Sequence, residues 1–214
     1  MRYPSLLCLL CLLLCTCGRA PTPPPLRVAG TIRYDTPRRL LQATLELNGA
    51  DSTAAAPFLA GTPMRPLPRT KNSVFQYRRE SPPPAEVAMS FPCPTGPCQT
   101  SVRLPMVSVD SLPSRIFRQA NLRVTVSDTP LRYGESIVFF FEPLDRSAPQ
   151  RIQFLGPSQT GTITLKRETL EGLEHDDYDL YLVRQGLARD STAHLQTSLQ
   201  TEYISATKRI TVAQ

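Results

Sequence analysis

The chain has 214 residues and a formal net charge of +6, with 22 prolines and no tryptophan. That many prolines exclude long helices almost everywhere, because proline lacks the backbone donor and clashes with the preceding turn. The six cysteines do not make a disulfide scaffold, since Cys8, Cys11, Cys15 and Cys17 crowd the N-terminus and only Cys93 and Cys98 remain in the body.

Arg2 is followed by an apolar run over residues 6–14, the layout of a secretory signal. The run supplies less than half of the about 20 residues that a membrane-spanning helix needs. The longest later uncharged apolar run is residues 137–141, so the mature chain is not expected to span a membrane. Leu14-Cys15-Thr16-Cys17 resembles the lipobox of bacterial lipoproteins, with Thr16 where that pattern usually carries Gly, Ala or Ser. The resemblance implies a signal peptide over residues 1–16 and a lipid on Cys17. Ordinary signal cleavage after Gly18-Arg19-Ala20 is the alternative, with Pro21 directly after the cut. Residues 17–25 then form the attachment point and a tether, because Pro21-Thr22-Pro23-Pro24-Pro25 favours extended polyproline conformation at about 3.1 Å per residue. The expected location is the cell envelope, with the protein hung by its lipid from a membrane, the outer one first, on its periplasmic or surface side.

Charge is unevenly spread: residues 17–112 carry 11 Lys/Arg against 6 Asp/Glu, whereas residues 113–214 carry 12 of each. A basic half suits anionic lipid or acidic glycan. No run exceeds two adjacent basic residues, which suits a solvated surface equally. No nucleic-acid partner is expected.

From residue 26 onward the pattern has period two. Residues 26–34 and 41–47 read as strands on either side of Thr36-Pro37, followed by 74–77, 87–91 and 101–104. Prolines 63, 66, 68 and 82–84 fall between these runs, where they leave the ladders intact. In the second half, 122–126, 136–142, 151–155, 162–166 and 178–184 are strands, and a Thr-rich tail over 195–212 favours strand through its β-branched residues. Residues 137–141 are apolar on both faces, so each face is expected to be covered. The fold class is all-β, with two antiparallel sandwich-like domains over residues 26–112 and 113–214; one long sandwich is the competing arrangement.

Residues 173–183, with Tyr178 and Leu180, and the closing Lys208-Arg209-Ile210-Thr211-Val212 resemble the last two strands of an immunoglobulin-like module. The resemblance places Tyr178 at the tyrosine corner and Leu180 where antibody domains carry a cysteine. It covers residues 113–214 and implies an architecture, not an activity.

Few segments carry chemistry. Cys93-Pro94-Thr95-Gly96-Pro97-Cys98 turns the chain back between two strands, and in an oxidising compartment a disulfide is the expected outcome. A metal clip would need two further ligands, and a redox pair would usually have only two intervening residues. The acidic group Glu171, Glu174, Asp176, Asp177 and Asp179 lacks the spacing of a calcium loop. His175 and His194 lie outside any metalloprotease pattern, and Gly156–Gly161 is one residue too long for a nucleophile elbow. No catalytic residue, metal or cofactor is therefore expected. The remaining candidate is a binding loop within residues 51–72, with Phe58, Leu59, Met64, Arg65 and Arg69 as apolar anchors beside positive charge. The resemblance to the lipobox, with the tether, the sandwich pattern and the lack of catalytic signatures, implies an envelope protein that binds or assembles with a protein partner. A small hydrolase or carbohydrate-active enzyme, using carboxylates that the sequence does not pair, is the alternative.

Overall fold

Alternation along the strands decides which side chains are buried, and the sheets follow from it. The computed structural model describes residues 23–48, 55–67, 73–94, 96–127, 129–145, 148–174 and 176–213. Cys17 and Arg69 lie outside these residues, as do the signal and most of the tether. The described chain is all-β: β1 (Leu26–Asp35), β2 (Leu40–Asn48), three two-residue pieces β3 (Phe58–Leu59), β4 (Thr62–Pro63) and β5 (Arg65–Pro66), β6 (Ser73–Glu80), β7 (Glu86–Cys93) and β8 (Gly96–Arg103). The second half contributes β9 (Arg115–Phe117), β10 (Leu122–Thr125), β11 (Ser136–Pro143), β12 (Gln150–Leu155), β13 (Thr162–Leu165), a single helical turn α1 (Arg167–Leu170), β14 (Asp177–Ser191), β15 (Leu195–Ile204) and β16 (Lys208–Ala213).

The largest sheet runs β12-β11-β14-β15-β1-β2-β6-β5, with β16 on β14 and β9 on β16. It crosses the boundary between residues 112 and 113, because β1 pairs with β15 in parallel over Leu26↔Leu195 to Asp35↔Ile204. Two smaller sheets, β4-β3-β7-β8 and β10-β13, supply the facing layers. The buried apolar side chains form one cluster that contains Ile32 and Phe91 as well as Phe139 and Leu182. The connection between the halves is part of it, since Leu104, Val107, Val109 and Leu112 are all buried.

The strand β14 holds this arrangement together by changing partners along its length. Its first residues, Asp177 to Leu180, pair with β16, and Val183 to Ser191 pair with β15 on the same side. The break between β15 and β16 is closed by Ser205, whose hydroxyl accepts from Leu182 N at 2.9 Å and donates to Ala206 O at 2.7 Å. A polar row on the outer face runs across β11, β14, β15 and β1. Ser136 Oγ meets Gln185 Oε1 at 3.4 Å, Gln185 Nε2 donates to Glu202 Oε1 at 3.2 Å, and Arg33 Nε donates to Glu202 Oε2 at 2.7 Å.

Gly30 is where β1 fits between its neighbours. A Cβ there would overlap Thr44 O of β2 and press on the Leu45 main chain, at a φ of +156°. Because the obstacle is backbone, Gly30→Ala is expected to fall at the upper end of the roughly 1–3 kcal/mol typical of overpacking. Urea unfolding of the variant beside the parent checks this.

The doubly apolar strand β11 meets two different surroundings. Ile137, Phe139 and Phe141 enter the core, whereas Phe140 stacks on Tyr181 with centroids 5.0 Å apart and planes within 4°. The outer face is thus closed in part by neighbours on the same sheet. The Tyr181 hydroxyl donates to Glu142 Oε1 at 3.1 Å, and its pKa is pushed up to about 12, first by burial and then by Glu142. A raised tyrosine pKa favours the neutral folded form. Its stabilisation is present below the unfolded value near 10 and is lost as pH rises towards 12. Tyrosinate absorbance is expected to show this late-titrating phenol, and Glu142→Gln should lower its pKa only in part.

Candidate functional site

A cleft of about 770 Å³ opens where the two halves meet. Its walls come from three places: the end of β8 with the connection after it, the loop between β10 and β11, and the β14–β15 hairpin.

Arg184 is the centre of this site. It sits on β14 between Ile137 of β11 and Tyr203 of β15, at the same parity as the core residues Leu180 and Leu182. Only 3% of its surface is exposed. Burying a guanidinium is costly unless its donors are satisfied, and the surroundings supply acceptors. Nη2 donates to Glu135 Oε2 at 2.6 Å and Pro130 O at 3.3 Å. Nη1 donates to Ser127 Oγ at 3.0 Å, and to Met106 O and Thr129 Oγ1 at 3.4 Å each. Nε is buried with no partner among the described residues. One side chain thereby ties β14 to the connection between the halves and to the β10–β11 loop.

That loop ends in a tight turn. Glu135 N donates to Arg132 O at 3.1 Å, and Gly134 at φ +80° occupies the turn position that demands a positive φ. The turn carries Tyr133 at its tip, 92% exposed, beside the cleft. It is pinned from below by Gly156 N donating to Glu135 O at 2.8 Å and by Ser158 Oγ, which accepts from Leu131 N at 2.8 Å. The Gly156–Gly161 segment is therefore a brace for this loop. Met106 and Leu187, both exposed, join Tyr133 in lining the cleft.

The charges of the cleft divide into engaged and open groups. Glu135 is held by Arg184, and Asp110 accepts Ser108 Oγ at 2.6 Å. Arg103 and Arg132 are exposed and make no ion pair among the described residues. Deeper in, Tyr203 stacks on Tyr34 with centroids 5.5 Å apart, and Tyr34 OH donates to Ser81 O at 2.9 Å. The Tyr34 phenol is pushed up from its ordinary pKa, by burial first and by Tyr203 next.

The segment expected to form a binding loop is divided. Leu59 and Met64 are buried in the core, while Phe58 and Arg65 are exposed. Phe58 lines a second, shallower hollow with Ala88, Ser90 and Ser101; Ser101 also lines the main cleft, whose lining includes none of Phe58, Leu59, Met64 or Arg65. Cys93 and Cys98 lie at disulfide distance, Cα–Cα 5.7 Å, across the β7–β8 turn. The acidic group is spread over cross-strand partners. Arg209 Nη2 donates to Asp179 Oδ1 at 3.0 Å, and Thr211 Oγ1 donates to Asp177 Oδ1 at 2.6 Å. Among the described residues, no group of three or more His, Cys, Asp or Glu is placed to hold a metal. No helix of the described residues is long and apolar enough to cross a membrane. No protein-family model matches the chain, and no curated protein matches it.

Proposed function

We propose that this is a membrane-tethered protein of the cell envelope, anchored through a lipid on Cys17, that binds or assembles with a protein partner and has no catalytic activity of its own. The observation that carries the binding reading is the cleft at the junction of the halves. Its walls are braced by a buried ion pair, and exposed Tyr133, Met106 and Leu187 line it. Rigid walls with an exposed aromatic suit recognition, because little order has to be gained on binding.

The hydrolase alternative would have to draw on Asp110 and Glu135, the carboxylates lining the cleft. Glu135 already serves Arg184, which favours a fixed structural role over proton transfer. Reading residues 113–214 as an immunoglobulin-like module is supported by the order β12-β11-β14-β16, by β9 lying parallel to β16, and by the β10–β13 pair. Tyr178 OH donating to Glu174 O at 3.2 Å adds the local bond that a tyrosine corner makes.

Two measurements test the proposal. The parent protein is expected in the membrane fraction and Cys17→Ala in the soluble fraction; a Cys17→Ala protein that still sediments with membranes overturns the anchor. A photo-crosslinking residue at position 133 is expected to capture one protein reproducibly in native membranes. Capture of nothing there or at other surface positions, together with turnover of an envelope substrate, would favour the hydrolase.

A further inference from the structure

We infer that the cleft takes an extended acidic segment of a partner protein, which adds as a strand to the open edge of β14. The inference rests on the binding reading above and names the chemistry of the partner.

The first observation is a strand edge without a neighbour. Up to Gln185, β14 is paired on both sides, with β11 and with β15. Its ladder with β11 ends at Ser136↔Gln185, so, among the described residues, 186–191 are paired with β15 alone. In an antiparallel ladder every second residue aims its N–H and C=O away from its partner. Along this stretch those groups face the side that β11 has left. Gly186, Leu187 and Ala188 line the cleft there. Across from them, Ser101, Val102 and Arg103 belong to β8, which among the described residues pairs only with β7. Two unpaired strand edges thus border one cleft, and an extended polypeptide is the ligand whose own main chain satisfies such groups.

The second observation is where the edge sits. An exposed edge invites pairing with any other sheet. Here the loop carrying Tyr133 and the connection at Met106 both line the cleft beside it, and Arg184 Nη1 holds them together through Ser127 Oγ and Met106 O. A single extended segment needs less room beside these walls than the edge of a second folded sheet, which brings its neighbouring strands with it. This selects a peptide segment over a second copy of the chain.

Charge sets the composition of the segment. Glu135 is neutralised by Arg184, and Asp110 is engaged by Ser108. The open charges on the lining are Arg103 on β8 and Arg132 on the β10–β11 loop, against the single carboxylate of Asp110, whose bond to a neutral hydroxyl leaves its charge in place. A strand that presents Asp or Glu on alternate residues would meet these guanidiniums, and its apolar residues would meet Met106, Tyr133 and Leu187.

The test uses the mature full chain and a phage-displayed random octapeptide library. Selected peptides are expected to carry Asp or Glu alternating with apolar residues. Synthesised singly, they should protect the amides of residues 186–191 from hydrogen exchange. Arg103→Glu with Arg132→Glu should weaken their binding by about tenfold or more. The milder Arg103→Gln with Arg132→Gln repeats the comparison should the charge reversal disturb folding. Methylating alternate backbone nitrogens of a selected peptide should abolish binding while leaving its side chains intact. The inference is overturned by enrichment of peptides without acidic residues, by protection elsewhere than 186–191, or by no enrichment over the double-reversal protein. Binding of polygalacturonate without protection of 186–191 would assign the arginines to an acidic glycan and also overturn it. A partner crosslinked in membranes away from the cleft would remove this inference and leave the binding reading standing. Failure of both experiments removes both.

Discussion

Arg184→Met is expected to lower the unfolding free energy by about 3–5 kcal/mol, the range for breaking a buried ion pair from one side. Methionine keeps an unbranched apolar stem but none of the donors. Glu135 would then face a cleft wall with no counter-charge, and the carbonyls of Met106 and Pro130 would lose the donor that draws them together. The loss therefore acts on three segments at once. Removing both partners, Arg184→Met with Glu135→Gln, should recover part of the cost because no charge is then left unpaired. Denaturant midpoints for the two single variants and the double give the coupling directly. A loss below about 1 kcal/mol for Arg184→Met would mean that the pair is screened like a surface one. The cleft should also loosen in Arg184→Met, with faster hydrogen exchange in residues 127–135.

The same residue shows what the sequence carried and what it did not. Period-two alternation marks β1, β2, β6, β7, β10, β12 and β13, because each buries one face, whereas β11 is marked by an apolar run on both faces. Alternation also held the clue to the site. Tyr178, Leu180 and Leu182 point inward, so position 184 shares their parity, and an arginine there requires a buried acceptor. Read as a polar residue, Arg184 ends the strand; the chain instead runs on to Ser191, with Gly186 fitting over Thr201 and Glu135. The parallel pairing of β1 with β15 joins residues more than 160 positions apart, and no local pattern encodes it. It makes one sheet of what composition divides into residues 26–112 and 113–214. Phe58, Leu59 and Met64 show the opposite limit, since apolar residues between prolines look alike whether they anchor a partner or enter the core. The short strand β9 leaves no signal in the sequence, because three residues carry no periodicity.

A continuous sheet and one apolar cluster have a consequence for how the chain unfolds. Phe141→Ala removes a fully buried ring from β11 and is expected to cost about 3–5 kcal/mol. Its ring meets Tyr178 edge to face, with centroids 6.0 Å apart and planes at 89°, a geometry worth about 0.5–1.5 kcal/mol beyond area burial. Tyr178→Phe keeps that contact and deletes only the hydroxyl bond to Glu174 O, so it should cost about 1 kcal/mol. Both positions lie in the second half. The reporter for the first half is the Tyr34–Tyr203 stack, which joins β1 to β15. In Phe141→Ala, the part of the near-ultraviolet circular dichroism that Tyr34→Phe removes, which isolates this stack, should move to lower denaturant together with the far-ultraviolet signal, in one transition. Two separated transitions would show that β15 can leave β1 without unfolding it, and that the halves are stable units joined edge to edge. With a single transition, β14 and β15 are structural members of both halves, and the cleft between them keeps its shape only while the whole sheet is intact.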